Sequence, residues 1–160
     1  MRIMIASVGK LKDDEERAIV ARYAKRFDQT GKRLGLGPLS VIEQSESRAA
    51  AAGLRKADEA ARLIKAAAGS DLTLALDVDG RSYPSEVFAK LLGKHADAGT
   101  KSCAFLIGGP DGHGDAVLHA ATFKLSLGPM ILPHGLARVV LTEQLYRAAT
   151  ILAGHPYHRA

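Results

Sequence analysis

The chain has 160 residues, 47% of them hydrophobic, which is enough for one domain with a sizeable core. Its net charge of +5 and pI near 9.5 favour a polyanionic partner, and equally fit a merely basic soluble protein. No apolar run approaches the roughly 18 residues of a membrane span, and a lone cysteine, Cys103, excludes an internal disulfide. Aromatic residues are scarce and tryptophan is absent, so Leu, Val, Ile and Ala must build the core.

The opening segment is too short for a signal peptide and runs into charged residues, so a cytoplasmic protein is expected. Residues 3–8 read as a first strand, closed by Gly9. Residues 13–27 read as a helix with acidic groups in its first turn, where they suit the dipole, and with Ile19, Val20, Tyr23 and Phe27 at helical spacing. A glycine-rich loop over 31–38 leads to a second strand over 39–42. Residues 47–68 read as an alanine-rich helix, with Leu54, Ala57, Ala61 and Ile64 on one face and Arg48, Arg55, Lys56, Arg62 and Lys65 on the other. That basic face is a solvated surface or an RNA-facing stripe.

Residues 72–76 form a third predicted strand, ending in a turn over 77–80, and 85–92 a helix. The fourth strand, 103–107, buries Cys103 as an inert thiol. After it come the loop 108–114, a short helix over 115–121 and a fifth strand over 123–126. Gly128 and Pro129 break the chain before a final helix over 133–152, which Gly154 stops. Strands alternate with helices throughout, which predicts an α/β fold with a largely parallel sheet and flanking helices in a single domain over 1–160.

Glycines follow two of these strands, at 77–80 and at 108–114. In parallel sheets ligands lie outside the carboxyl ends of strands, and glycine there lets backbone amides approach closely. A turn-rich connector would need the same glycines. The loop is neither a G-x-G-x-x-G fingerprint nor a P-loop, since Asp115 follows Gly114 where Lys-Ser/Thr would stand. The six histidines, His113 and His119 among them, fall into no recognised zinc spacing, so no metal is expected. No G-x-S-x-G elbow supports a hydrolase.

The final helix carries Leu136, Val140, Glu143, Arg147 and Ile151 along one face. Glu143 and Arg147 are four apart in the favourable orientation, as a surface pair or as part of a helix packed on a second subunit. His134 caps this helix or lines a pocket. The segment His155-Pro156-Tyr157-His158-Arg159 then concentrates a stacking ring, a titratable ring and a forked donor in five positions. It reads as a tail tucked into a site.

Four segments, Leu106-Ile-Gly-Gly-Pro-Asp-Gly112, Leu132-Pro-His134, Glu143-Gln-Leu-Tyr-Arg-Ala148 and His155-Pro-Tyr-His-Arg159, occur in an order and spacing that resembles the ribosomal RNA large subunit methyltransferase H family of the SPOUT superfamily. The resemblance spans nearly the whole chain. It implies that the C-terminal part is threaded into a deep trefoil knot, and that the protein is a homodimer. It implies S-adenosylmethionine bound at Leu76, Gly108, Leu127, Gly128, Pro129, Met130, Ile131 and Leu132. The implied reaction is methylation of N3 of pseudouridine 1915 in helix 69 of 23S rRNA, preferring the assembled 70S ribosome. Catalytic roles would fall to His158, Arg159, Tyr157, Glu143 and Arg147. A SPOUT enzyme acting on tRNA or another rRNA site, or a noncatalytic ribosome-binding factor, are the alternatives.

Overall fold

The computed structural model describes residues 1–157. Five strands, β1 (Arg2–Val8), β2 (Leu39–Gln44), β3 (Leu72–Arg81), β4 (Ser102–Ile107) and β5 (Phe123–Leu125), form one sheet in the order β2-β1-β4-β3-β5. Every pairing is parallel. The helices are α1 (Asp14–Gly31), α2 (Ala52–Ala67), α3 (Ser85–Asp97), α4 (Asp115–Ala120) and α5 (His134–Leu152), and a 3-10 turn over Lys32–Leu34 extends α1. Asp13 caps α1, accepting hydrogen bonds from the backbone N–H groups of Glu15 and Glu16.

The pleat sorts the core into two layers. Ile3 and Ile5 of β1, Leu72 and Leu74 of β3, and Cys103, Phe105 and Ile107 of β4 face one side, where they meet Phe27, Phe88, Leu92, Leu141 and Leu145 from α1, α3 and α5. The alternate residues Ala6, Val8, Ala75, Ala104 and Leu106 face Ala60, Leu63, Ala67 and Val117 from α2 and α4. Alanines dominate the second layer, so α2 lies close on the sheet. Burial pushes the Cys103 thiol pKa up, in keeping with an inert group.

Three expectations need correction. Of the predicted apolar face of α2, Leu54, Ala57 and Ala61 are exposed, Leu54 at 63%, and Ile64 alone of the four packs against the core. The buried face carries Glu59, Ala60, Leu63 and Ala67. Alanine sits on both faces of this helix, so periodicity alone picked the wrong stripe. The helix also begins at Ala52, because the preceding loop is held from outside: Ser47 N–H donates to the Glu59 carboxylate, and the Arg55 guanidinium donates to the Ala49 and Ala50 carbonyls. Finally, the predicted turn at 77–80 is strand. β3 runs on to Arg81, and Leu125 pairs with both Leu76 and Arg81 across a bulge. Gly80 is needed there, since a methyl group on it would lie 2.7 Å from the backbone of Lys124.

Candidate cofactor cavity and C-terminal cluster

The carboxyl ends of β3, β4 and β5 surround a cavity of about 660 Å³. Its walls come from three stretches: Leu76 to Val78, Ile107 to His113, and the segment from Leu125 into the first turn of α5 at His134 and Ala137. The sheet order reverses beside β4, between β1 and β4, since the chain moves from β1 to β2 on one side and returns to β3 on the other, and the cavity lies next to that point. Such a reversal opens a crevice for a ligand. Of the eight residues implied as cofactor contacts, Leu76, Gly108, Leu127, Gly128, Met130, Ile131 and Leu132 line the cavity. Pro129 is not among the lining residues and is exposed. Met130 and Ile131 form an open apolar lip, 78% and 85% exposed.

The glycine loop is shaped from within. Gly109 and Gly112 face each other in a tight bridge, and Gly112 takes a left-handed backbone at φ +81°. A methyl group at Gly108 would press on the Gly112 backbone at 2.9 Å. From outside, the Arg55 Nε lies 2.6 Å from Asp111 Oδ2, which ties the loop to α2. That hydrogen bond holds the Asp111 carboxyl below its ordinary pKa.

His134 lines the cavity instead of capping α5, which makes no side-chain cap hydrogen bond. Its ring lies over Gly9, where a methyl group would stand 2.6 Å from Nε2. One turn on, Arg138 is fully buried; it pairs with Glu43 of β2 and donates to the Gly9 carbonyl at 2.8 Å. Desolvation lowers its pKa while Glu43 opposes that shift. The sequence reading missed this pair, because an arginine within an apolar helix carries no local mark of a partner 95 residues away. It also weighed His113 only as a metal ligand, although the ring is buried in the cavity wall. A histidine set among glycines straight after a buried strand was the available signal.

The tail cluster forms further along α5, outside the cavity lining. Arg147 Nη2 lies 2.7 Å from Glu143 Oε1, and the Tyr157 hydroxyl donates to the same oxygen at 3.0 Å. The Tyr157 ring packs on Tyr146 at 4.7 Å, and the Arg147 guanidinium sits 5.2 Å from its centre. Burial raises the Tyr157 pKa, with hydrogen bonds to Tyr23 and Glu143 adding to it, so the hydroxyl stays a donor at neutral pH. The structure thus joins Glu143, Arg147 and Tyr157, and none of the three lines the cavity. His158 and Arg159 lie outside the described residues. The stripe from Leu136 to Ile151 is the less buried side of α5; Leu141, Leu145, Ala148 and Ala149 face the core. Among the described residues, no group of three or more metal-ligating side chains is assembled and no helix is long and apolar enough to cross a membrane.

Comparison with known proteins identifies the family. The family model described as "Predicted SPOUT methyltransferase" matches residues 1–158. Proteins named ribosomal RNA large subunit methyltransferase H are similar end to end: that of Xanthobacter autotrophicus is 48% identical over 160 residues, covering 100% of both chains. Those of Sinorhizobium fredii and Brucella anthropi are 50% and 46% identical, again over 100% of both chains. A solved structure, the SpoU methyltransferase AviRb from Streptomyces viridochromogenes in complex with AdoMet, has a TM-score of 0.40 and 10% identity, over 92% of this chain and 59% of that chain, a likeness too weak to bear on the fold. Matched along its length by the family model and by relatives at close to half identity, the chain belongs to the SPOUT methyltransferase family.

Proposed function

We propose that the protein transfers a methyl group from S-adenosylmethionine to N3 of pseudouridine 1915, in helix 69 of 23S rRNA, on assembled 70S ribosomes in the cytoplasm. It acts as a single-domain homodimer whose C-terminal part is knotted. The carrying observation is the cavity: three separate segments, Leu76 to Val78, Ile107 to His113 and Leu125 to His134, meet at the strand ends and supply seven of the eight contacts implied by resemblance. The full-length relatives named ribosomal RNA large subunit methyltransferase H support the substrate class.

The residues present fit the cofactor. Leu76, Leu127 and Leu132 offer apolar faces to a flat base, while Gly108 and Gly128 leave backbone groups bare. Bound there, S-adenosylmethionine supplies a methyl group made electrophilic by its sulfonium. The protein's remaining tasks are to position the nucleotide and to manage the imide proton on N3. His158 and Arg159 are the proposed groups for that proton, as a base or as a cation stabilising the imide anion, acting at the partner subunit's cofactor. Tyr157, held by Glu143 and Arg147, orients the base. Alignment of nucleophile and methyl contributes heavily, because it removes the entropy cost of encounter. Phosphate attraction from a net charge of +5 steers association without reading sequence.

Methyl transfer to 70S ribosomes, separated subunits and tRNA tests the reading. Label at N3 of the helix 69 pseudouridine, strongest on 70S particles, is expected. Label confined to tRNA or to another rRNA site would replace the substrate assignment, and absence of cofactor binding would favour a noncatalytic ribosome-binding factor.

A further inference from the structure

His113 has no task in the reaction outlined above. Its residue is 7% exposed in the cavity wall, and among the described residues neither Nδ1 nor Nε2 has a partner at good hydrogen-bond geometry, the nearest acceptors being the backbones of Leu106 and Leu76. The charges that face it are Asp77 from β3 and Lys56 from α2, and the backbones of Leu76 and Leu106 run beside the ring. A buried polar group without a partner costs stability, and native proteins rarely carry one without a ligand or a task. An apolar side chain would close this wall without that cost.

Resting on the cofactor reading, we propose that His113 is a binding residue whose neutral imidazole hydrogen-bonds the polar edge of the adenosyl group. A neutral imidazole offers one donor and one acceptor, which suits a hydroxyl pair or the edge of a purine. Burial lowers its pKa, so the ring is uncharged at neutral pH. Protonation would cost the acceptor and bring a second positive charge toward a sulfonium. Lys56 also favours the neutral ring, whereas the Leu106 backbone, Asp77 and the Leu76 backbone favour the charged one without outweighing burial. Binding therefore favours the deprotonated form. Affinity is full above the ordinary histidine value of about 6.5 and falls as the pH drops through the lowered one. His134 and Asp111 line the same cavity, so the decisive quantity is the difference between wild type and variant.

The test is calorimetric titration of the whole protein with S-adenosylmethionine between about pH 5.5 and 8. His113→Gln keeps a donor and an acceptor but does not titrate. It is expected to bind within about threefold of wild type at the upper pH, and to lose part of the wild-type fall in acid. His113→Leu is expected to bind about five- to tenfold more weakly at the upper pH, with no loss of thermal stability. Wild-type affinity in His113→Leu, or the full wild-type pH profile in His113→Gln, would overturn the inference while leaving the cofactor reading intact. Should His113→Leu fail to fold, the Gln variant decides. A wild-type protein that binds no S-adenosylmethionine at any pH overturns the cofactor reading and this inference with it.

Discussion

Arg138 and Glu43 divide their burial unequally, and that decides which of them is harder to remove. Arg138 is fully buried, while the Glu43 side chain is 31% exposed. Glu43→Leu leaves a guanidinium out of water with, among the described residues, the Gly9 carbonyl and the field of Glu16 to offset its charge, and is expected to cost about 3–5 kcal/mol in urea unfolding. Arg138→Leu leaves a carboxylate that water can reach and that still accepts from Leu11 N–H, so a smaller loss of about 1–3 kcal/mol is expected. The reverse order would contradict this account. At Tyr157, phenylalanine keeps the ring against Tyr146 and Arg147 and deletes the hydroxyl's hydrogen bonds to Glu143 and Tyr23. Tyr157→Phe is expected to lower stability by about 1 kcal/mol and to leave S-adenosylmethionine affinity unchanged, because Tyr157 lies outside the cavity. A melt and a titration on the same preparation check both.

The boundaries of the elements expose what the chain's local pattern carries. Strand positions were legible because Ile3 to Val8 and Cys103 to Ile107 are apolar runs buried on both faces, as parallel strands are. The α2 face was not, since Ala57 and Ala61 look no less apolar than Ala60 and Ala67, and only the sheet's alanine layer selects between them. Nor was the end of β3: Asp77 and Gly80 have turn chemistry, and pairing with β5 overrides it. That override makes Gly80 testable. Gly80→Ala would drive a methyl group against the β5 backbone at 2.7–2.8 Å, parting two strands that end at the cavity. An expected loss of about 1–3 kcal/mol should come with weaker S-adenosylmethionine binding. Unchanged stability would mean that the bulge yields without strain.

Across the whole molecule, the cavity lining and the tail cluster share no residue, and the proposed homodimer would bring one protomer's tail to the other's cavity. Sedimentation is expected to give twice the chain mass of 16.9 kDa. The exposed lip of Met130 and Ile131 and the half-exposed side of α5 leave apolar surface for such an interface. The leucines of the cavity entered only through the family resemblance, while the glycine loop over 108–114 was legible from the residues as a candidate ligand loop. The roles of His113 and Arg138 were not, because each is set by partners or burial that the fold alone creates. His158→Ala or Arg159→Ala is expected to cut turnover far more than cofactor affinity, as for groups that act on the imide proton. All of this depends on one reaction. Transfer of labelled methyl from S-adenosylmethionine to 70S ribosomes, with the modified nucleotide mapped, is the most direct test. Label at N3 of pseudouridine 1915, exceeding that on separated subunits and tRNA, is the predicted result. No label on 70S particles from a protein that binds S-adenosylmethionine would contradict it.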